Sequence, residues 1–215
     1  MKKIGLYFGS FNPLHNGHMM VANYAVEWGG LDELWFVPTV LNPQKENKDL
    51  IPFDIRVRMI REVLSKPYLT LNMSVCDIEK DLSAPHYTYQ TLKAIREKYK
   101  EYGNEYFIIM GMDAYESLPT WYNFQEILQY RMFIMPRLTI LNHTSIDMVE
   151  SVKETRVSYM KQGIPCGIHD VMMDMPISTM SSSFIRNEIK EDRDIRFYVP
   201  PQVWVAILKL NLYKK

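Results

Sequence analysis

Two histidines, His15 and His18, stand three positions apart in the stretch Gly9-Ser10-Phe11-Asn12-Pro13-Leu14-His15-Asn16-Gly17-His18. Imidazoles so placed can both donate hydrogen bonds to one anion. The apolar run Ile4-Gly5-Leu6-Tyr7-Phe8 ahead of them is short enough for a buried strand, and Met19 to Trp28 carries apolar residues at helical spacing. A strand, a glycine-bearing turn and a helix start make a phosphate site. The first N–H groups of a helix lack intrahelical partners, and its dipole attracts anions. The same two histidines would also serve as a helix N-cap and a surface residue, so the rest of the chain has to decide.

The surrounding elements read as α/β. Gly29-Gly30 stops the first helix, and Leu34 to Pro38 fits a second buried strand bounded by proline. Strand, helix, strand is a βαβ unit, which predicts parallel strands and a right-handed crossover. Thr39 to Ile51, with Asn42, Pro43, Asn47 and several charges, reads as a mobile loop. Pro52-Phe53-Asp54 opens a helix over Ile55 to Ser65, and Leu69 to Val75 reads as a strand. Asp77 to Pro85 is polar and is expected to leave the sheet. Thr88 to Lys100 shows Tyr89, Leu92, Ile95 and Tyr99 on one helical face.

Tyr106 to Met110 is the clearest buried strand and ends in Gly111-Met112-Asp113. Ligands of open parallel sheets lie beyond the carboxyl ends of strands, so Gly111 and Asp113 fall near the first turn if their strands are neighbours. Phe124 to Gln129 reads as a short helix and Arg131 to Pro136 as a strand. Asp147 to Met160 reads as a charged helix in a solvated excursion, with 138–167 an insertion or lid. Serines at the N-cap and first turn open a helix at Met180-Ser181-Ser182-Ser183-Phe184-Ile185-Arg186, and Val203 to Leu212 is helical after Pro200-Pro201. The expectation is one domain over 1–215: an α/β, Rossmann-like, doubly wound parallel sheet with helices on both faces and a C-terminal helical part over 181–215.

Composition narrows the partners. Lys and Arg together number 25 and Asp and Glu 25, so net charge is zero and the basic footprint of a nucleic-acid binder is missing. That favours a small anionic ligand met by local groups. No apolar stretch approaches the ~18–20 residues of a membrane span. Met1-Lys2-Lys3-Ile4 begins a strand at once, leaving no room for a signal peptide, and Cys76 and Cys166 have no disulfide or metal spacing. A cytoplasmic setting follows as the expectation, with homo-oligomerisation open. The 15 methionines, among them Met19, Met20, Met110, Met112, Met132 and Met135, are read as core filling.

Gly9-Ser10-Phe11-Asn12-Pro13 with His15-Asn16-Gly17-His18 resembles the first signature of the nucleotidyltransferase superfamily, and Ser181-Ser182-Ser183-Phe184-Ile185-Arg186 resembles its second. A narrower resemblance, to the bacterial nicotinate-nucleotide adenylyltransferase family, spans nearly the whole chain. Its landmarks are Pro85-His86-Tyr87-Thr88-Tyr89-Gln90-Thr91-Leu92, Gly111-Met112-Asp113-Ala114, Leu118-Pro119-Thr120-Trp121 and Tyr198-Val199-Pro200. That resemblance implies transfer of AMP from ATP to nicotinate mononucleotide with release of pyrophosphate. Where that family often has Pro-His-Lys, this chain has Pro43-Gln44-Lys45.

Such chemistry needs no protein nucleophile, only alignment and charge stabilisation. His18 and His15 are the candidates for the phosphates, with Arg186 and Lys45 on the pyrophosphate side. The alternative for Lys45 is a solvated loop lysine. The ATP site would further draw on Gly9, Ser10, Phe11, Asn12, Gly17, Gly111, Ser181, Ser182, Ser183 and Ile185, with Asn12 donating to a phosphate or hydroxyl. Arg56 resembles a family arginine or makes a helix-surface salt bridge. The acceptor would meet Tyr87, Thr88, Asp113, Trp121 and Tyr122. Trp121 offers a stacking face or is buried against a helix. His86, His143 and His169 have no functional context. No cluster supports a structural metal, and Mg²⁺ would arrive with the phosphates.

Overall fold

The computed structural model describes residues 1–41, 48–66, 70–136, 145–175 and 179–214. Six strands form one sheet: β1 (Lys3–Gly9), β2 (Glu33–Pro38), β3 (Met73–Val75), β4 (Glu105–Gly111), β5 (Arg131–Met135) and β6 (His169–Val171). Their order is β3-β2-β1-β4-β5-β6, and every pairing is parallel. Tyr7 lies opposite Phe36 on one side and Ile109 on the other, so β1 and β4 are neighbours. The helices are α1 (Asn16–Glu27), α2 (Phe53–Leu64), α3 (Thr88–Lys98), α4 (Met112–Ser117), α5 (Phe124–Ile127), α6 (Ser145–Lys161), α7 (Ser182–Lys190) and α8 (Pro201–Lys209).

Side-chain alternation explains why helices cover both faces. Leu34, Phe36, Phe107, Ile109, Phe133 and Met135 point into one core, where Ala22, Met59, Ile60, Ile185 and Val203 bring in α1, α2, α7 and α8. Leu6, Trp35, Val37, Ile108, Met132 and Ile134 point into the other, met by Leu92, Met112, Ile127, Met148 and Val152 from α3 to α6. Strands apolar on both faces cannot leave either one in water. The doubly wound parallel sheet of the sequence reading is present.

Several elements differ from expectation. β3 covers Met73–Val75 only, and residues 67–69 lie outside the described part. The polar stretch after β3 does leave the sheet, yet Ile78 and Glu79 in its short 3₁₀ turn (Ile78–Asp81) are buried. The α6 helix is no solvated excursion. Met148 and Val152, one turn apart, are buried against the sheet beside β6, a narrow apolar stripe on a helix otherwise charged. β6 escaped notice because it is three residues long and two are polar. Of the methionines read as core, Met110, Met112, Met132 and Met135 are buried, but Met20 is 37% exposed.

Candidate functional site

A cleft of about 630 Å³ opens beyond the carboxyl ends of β1 and β4, where the order of the strands reverses. That size is ordinary for a small-molecule site, roughly 300–1,000 Å³. Gly9, Ser10, Asn12, His15, Gly17 and His18 line it from β1 and α1; Gly111 and Asp113 from β4 and α4; Thr88 and Trp121 from the far side; and Ser181, Ser182, Ser183 and Arg186 from α7.

The two histidines cap α1 reciprocally. His15 is the N-cap, and its Nδ1 accepts from the His18 N–H at 3.3 Å, while the Nδ1 of His18 accepts from the His15 N–H at 3.2 Å. The rings stack with centroids 3.6 Å apart. An Nδ1 that accepts a backbone N–H carries no proton, so each ring's proton sits on Nε2. The histidine spacing therefore has both roles at once: it closes the helix start and sets the tautomer. Phe11 supports this turn from below. Its backbone has φ +46°, and its ring, in edge contact with Tyr7, His18 and Phe36, lies where a Cβ on Gly9 would be only 2.9 Å away.

α7 docks onto the same turn across the length of the chain. The Ser182 hydroxyl donates to the Pro13 carbonyl at 3.0 Å, and the Arg186 guanidinium donates to the Asn12 carbonyl at 2.8 Å and to the Ser183 hydroxyl at 3.3 Å. Ser181 is the N-cap and accepts from the Phe184 N–H at 3.1 Å. Asp49 faces Lys190 at 2.8 Å and Arg186 at 3.8 Å, and the Lys190 hydrogen bond is the main reason its carboxyl is held below the usual range.

Some expected site residues face elsewhere. Phe11 and Ile185 are buried in the core, at 1% and 0% exposure, because the turn and α7 need apolar anchors beneath their polar faces. The Asn12 carboxamide is engaged by the protein: Nδ2 donates to the Asp49 carbonyl, and Oδ1 accepts from the Ile51 N–H and the Tyr213 hydroxyl. Asn12 still lines the cleft, with its carboxamide fixing the loop. Tyr87 and Tyr122 stack on each other at 4.8 Å and do not line the cleft. Lys45 lies outside the described residues.

Arg56 is buried, and among the described residues it makes no salt bridge. It is 1% exposed, and its guanidinium donates to the carbonyls of Ser10, Thr39, Val40 and Ile51 at 2.7 to 3.1 Å. The sequence offered no sign of this, since burial of an arginine depends on carbonyls brought together from three segments. His169 has a structural place. It is buried, with Nε2 on the Leu128 carbonyl at 2.9 Å and Nδ1 at 3.0 Å from the Tyr115 hydroxyl, and burial pulls its pKa down to about 4. His86 does not line the cleft, and His143 lies outside the described residues. Lys48, Asp49 and Met180 line the cleft without having been singled out. Lys48 and Asp49 belong to the same charged stretch as Lys45, and nothing local ranks its charges.

A switch-point cleft with stacked imidazoles at a helix start and a hydroxyl-rich helix opposite is the layout of a nucleotide-handling α/β protein. The chain belongs to the cytidylyltransferase-like family, which matches over residues 6–188. It is 38% identical to a Flavobacterium johnsoniae protein named "Probable nicotinate-nucleotide adenylyltransferase", over 99% of this chain and 100% of that one. A Porphyromonas gingivalis protein of the same name is 33% identical, covering 91% and 88%. Among solved structures, Plasmodium falciparum nicotinic acid mononucleotide adenylyltransferase complexed with NaAD shares the fold, with TM-score 0.77 at 20% identity over 99% of this chain and 98% of that one.

Proposed function

We propose that the protein is an enzyme that transfers AMP from ATP to nicotinate mononucleotide, giving nicotinate adenine dinucleotide and pyrophosphate. The observation that carries the reading is the reciprocal His15–His18 cap, with both Nδ1 atoms turned to the backbone at the mouth of the switch-point cleft. The names of the full-length relatives support the same acceptor.

Adenylyl transfer needs the acceptor phosphate in line with the α-phosphorus and the developing charge met by fixed donors. His18 donates through Nε2 toward the α-phosphate, and His15 acts from just ahead of α1. Arg186 and the serines of α7 belong to the leaving pyrophosphate, where guanidinium and hydroxyl donors match its oxygens. Lys45 is proposed for the same side. Asp113 accepts from a ribose hydroxyl. Thr88 opens α3, whose positive end favours a carboxylate over an amide, and Trp121 offers its ring to the pyridine.

Mg²⁺ would enter on the triphosphate and neutralise part of its charge. Among the described residues no group of three or more His, Cys, Asp or Glu could hold an ion, and the cleft's hydroxyl, imidazole, guanidinium and N–H donors suit phosphate oxygens. The whole chain is proposed to act as one nucleotidyltransferase domain on small molecules. Among the described residues no helix is long and apolar enough to cross a membrane.

Purified protein given ATP, Mg²⁺ and each pyridine mononucleotide should release pyrophosphate and form dinucleotide, faster with nicotinate than with nicotinamide. No pyrophosphate with either acceptor sinks the reading, and phosphopantetheine as a third acceptor tests the nearest alternative.

A further inference from the structure

Glu79 is a carboxylate with no exposed surface in the 3₁₀ turn after β3, away from any group assigned to the reaction. Its Oε2 accepts from the Val40 N–H at 2.8 Å, and its Oε1 accepts from the Thr91 hydroxyl at 2.9 Å. Val40 belongs to the segment leaving β2, and Thr91 lies in the first turn of α3, one turn beyond Thr88. Arg56, from α2, ties the other side of the same segment through the carbonyls of Ser10, Thr39, Val40 and Ile51. The two charges are near enough to favour each other, with no direct hydrogen bond between them among the described residues. Glu79 and Arg56 thus brace the segment leaving β2 from two sides, one toward α3 and the other toward α2.

We propose that Glu79 is a positioning residue for the transfer: it holds the segment leaving β2, and with it the Ser10 turn, in register with the helix that presents Thr88. The inference rests on the reading of Thr88 as part of the acceptor side and of the Ser10 turn as part of the ATP side. Substrates that bind separately yet must meet in line are sensitive to such a register. A misplacement near 1 Å costs on the order of 100-fold in rate with little change in binding.

Facing the carboxylate are Thr91 from α3, Arg56 from α2 and Cys76 just after β3. Burial pushes the Glu79 carboxyl up to about 7. Turnover should therefore fall as pH drops through neutrality and the tie loses its charge.

Glu79→Gln keeps the shape and removes the charge. With the acceptor that the wild type uses, kcat should fall at least ~10-fold while KM for ATP and for the acceptor each stay within ~3-fold, and the acid limb near pH 7 should vanish. Thr91→Val should lower kcat in the same way, and Thr91→Ser, which keeps the hydroxyl, should restore it. That pair tests the tie even if Glu79→Gln fails to fold. Unchanged kcat in both Glu79→Gln and Thr91→Val, or a Thr91→Ser enzyme as slow as Thr91→Val, overturns the inference. A wild type inactive with every acceptor would fail the functional reading, not this one. Hydrogen exchange of the unliganded protein then decides: the Val40 amide should exchange at least ~10-fold faster in Glu79→Gln, and equal rates overturn the tie.

Discussion

The reciprocal cap gives His15 and His18 a property that spacing alone does not express. Each Nδ1 is engaged by the other residue's N–H, so the ring faces, the tautomer and the helix start are set together. Replacing either ring disturbs both. His18→Ala should lower turnover at least ~100-fold, the scale of losing one preorganised donor at a developing charge, measured as steady-state pyrophosphate release. Near-normal turnover would move the role to another group. Asn12 teaches the opposite lesson. A neutral side chain in a phosphate-binding turn suggests a ligand contact, yet among the described residues its hydrogen bonds run to Asp49, Ile51 and Tyr213.

At the scale of elements, the edge strand β6 is held by a contact that admits only glycine. Gly167, just before it, donates its N–H to the Leu128 carbonyl at 2.8 Å. A Cβ there would sit 2.3 Å from the Tyr130 carbonyl oxygen and 2.7 Å from that of Gln129. Backbone oxygens cannot swing aside as a side-chain tip can. Gly167→Ala should destabilise the protein by about 1–3 kcal/mol, the usual range for overpacking, read from the urea midpoint. An unchanged midpoint would mean that the Leu128–Tyr130 turn shifts easily. The neighbouring His169 bonds to Leu128 and Tyr115, so the same turn also seats α4, the helix that carries Asp113.

Across the whole molecule, two buried titrating groups pull stability in opposite directions with pH. Glu79 is raised from 4.5 to about 7, so the folded state holds its proton longer than the unfolded chain, and its contribution is lost as pH rises through about 7. His169 is lowered from 6.5 to about 4, so its contribution is present above 6.5 and lost as pH falls toward 4. Between about pH 4.5 and 6.5 the two slopes oppose each other. Glu79→Gln leaves the histidine slope alone. The variant should therefore gain stability relative to wild type as pH goes from 4.5 to 7.5, by up to about 3 kcal/mol, in urea titrations at the two ends. A constant difference would place the Glu79 titration elsewhere. If the positioning role also holds, the carboxylate that aligns the cleft is the form the fold tolerates less.

How much of this was written in the chain follows the range of the forces involved. The strands β1, β2, β4 and β5 were legible because apolar runs bounded by glycine or proline leave few other choices. The starts of α1 and α7 were legible because histidine and serine act on N–H groups three residues away. His15, His18, Ser182 and Arg186 were singled out by resemblance to the two superfamily signatures, and all four line the cleft. Tertiary structure alone decided what joins what. It set β1 beside β4, which brings Gly9 and Gly111 to one cleft. It laid Ser182 on Pro13 and Arg186 on Asn12, and it buried Arg56 among carbonyls from Ser10 to Ile51. Ile51 aside, which is five residues from Arg56, the partners just named lie 46 to 174 residues apart, where no local preference reaches. Only the packing of two cores against one sheet brings them within hydrogen-bonding distance.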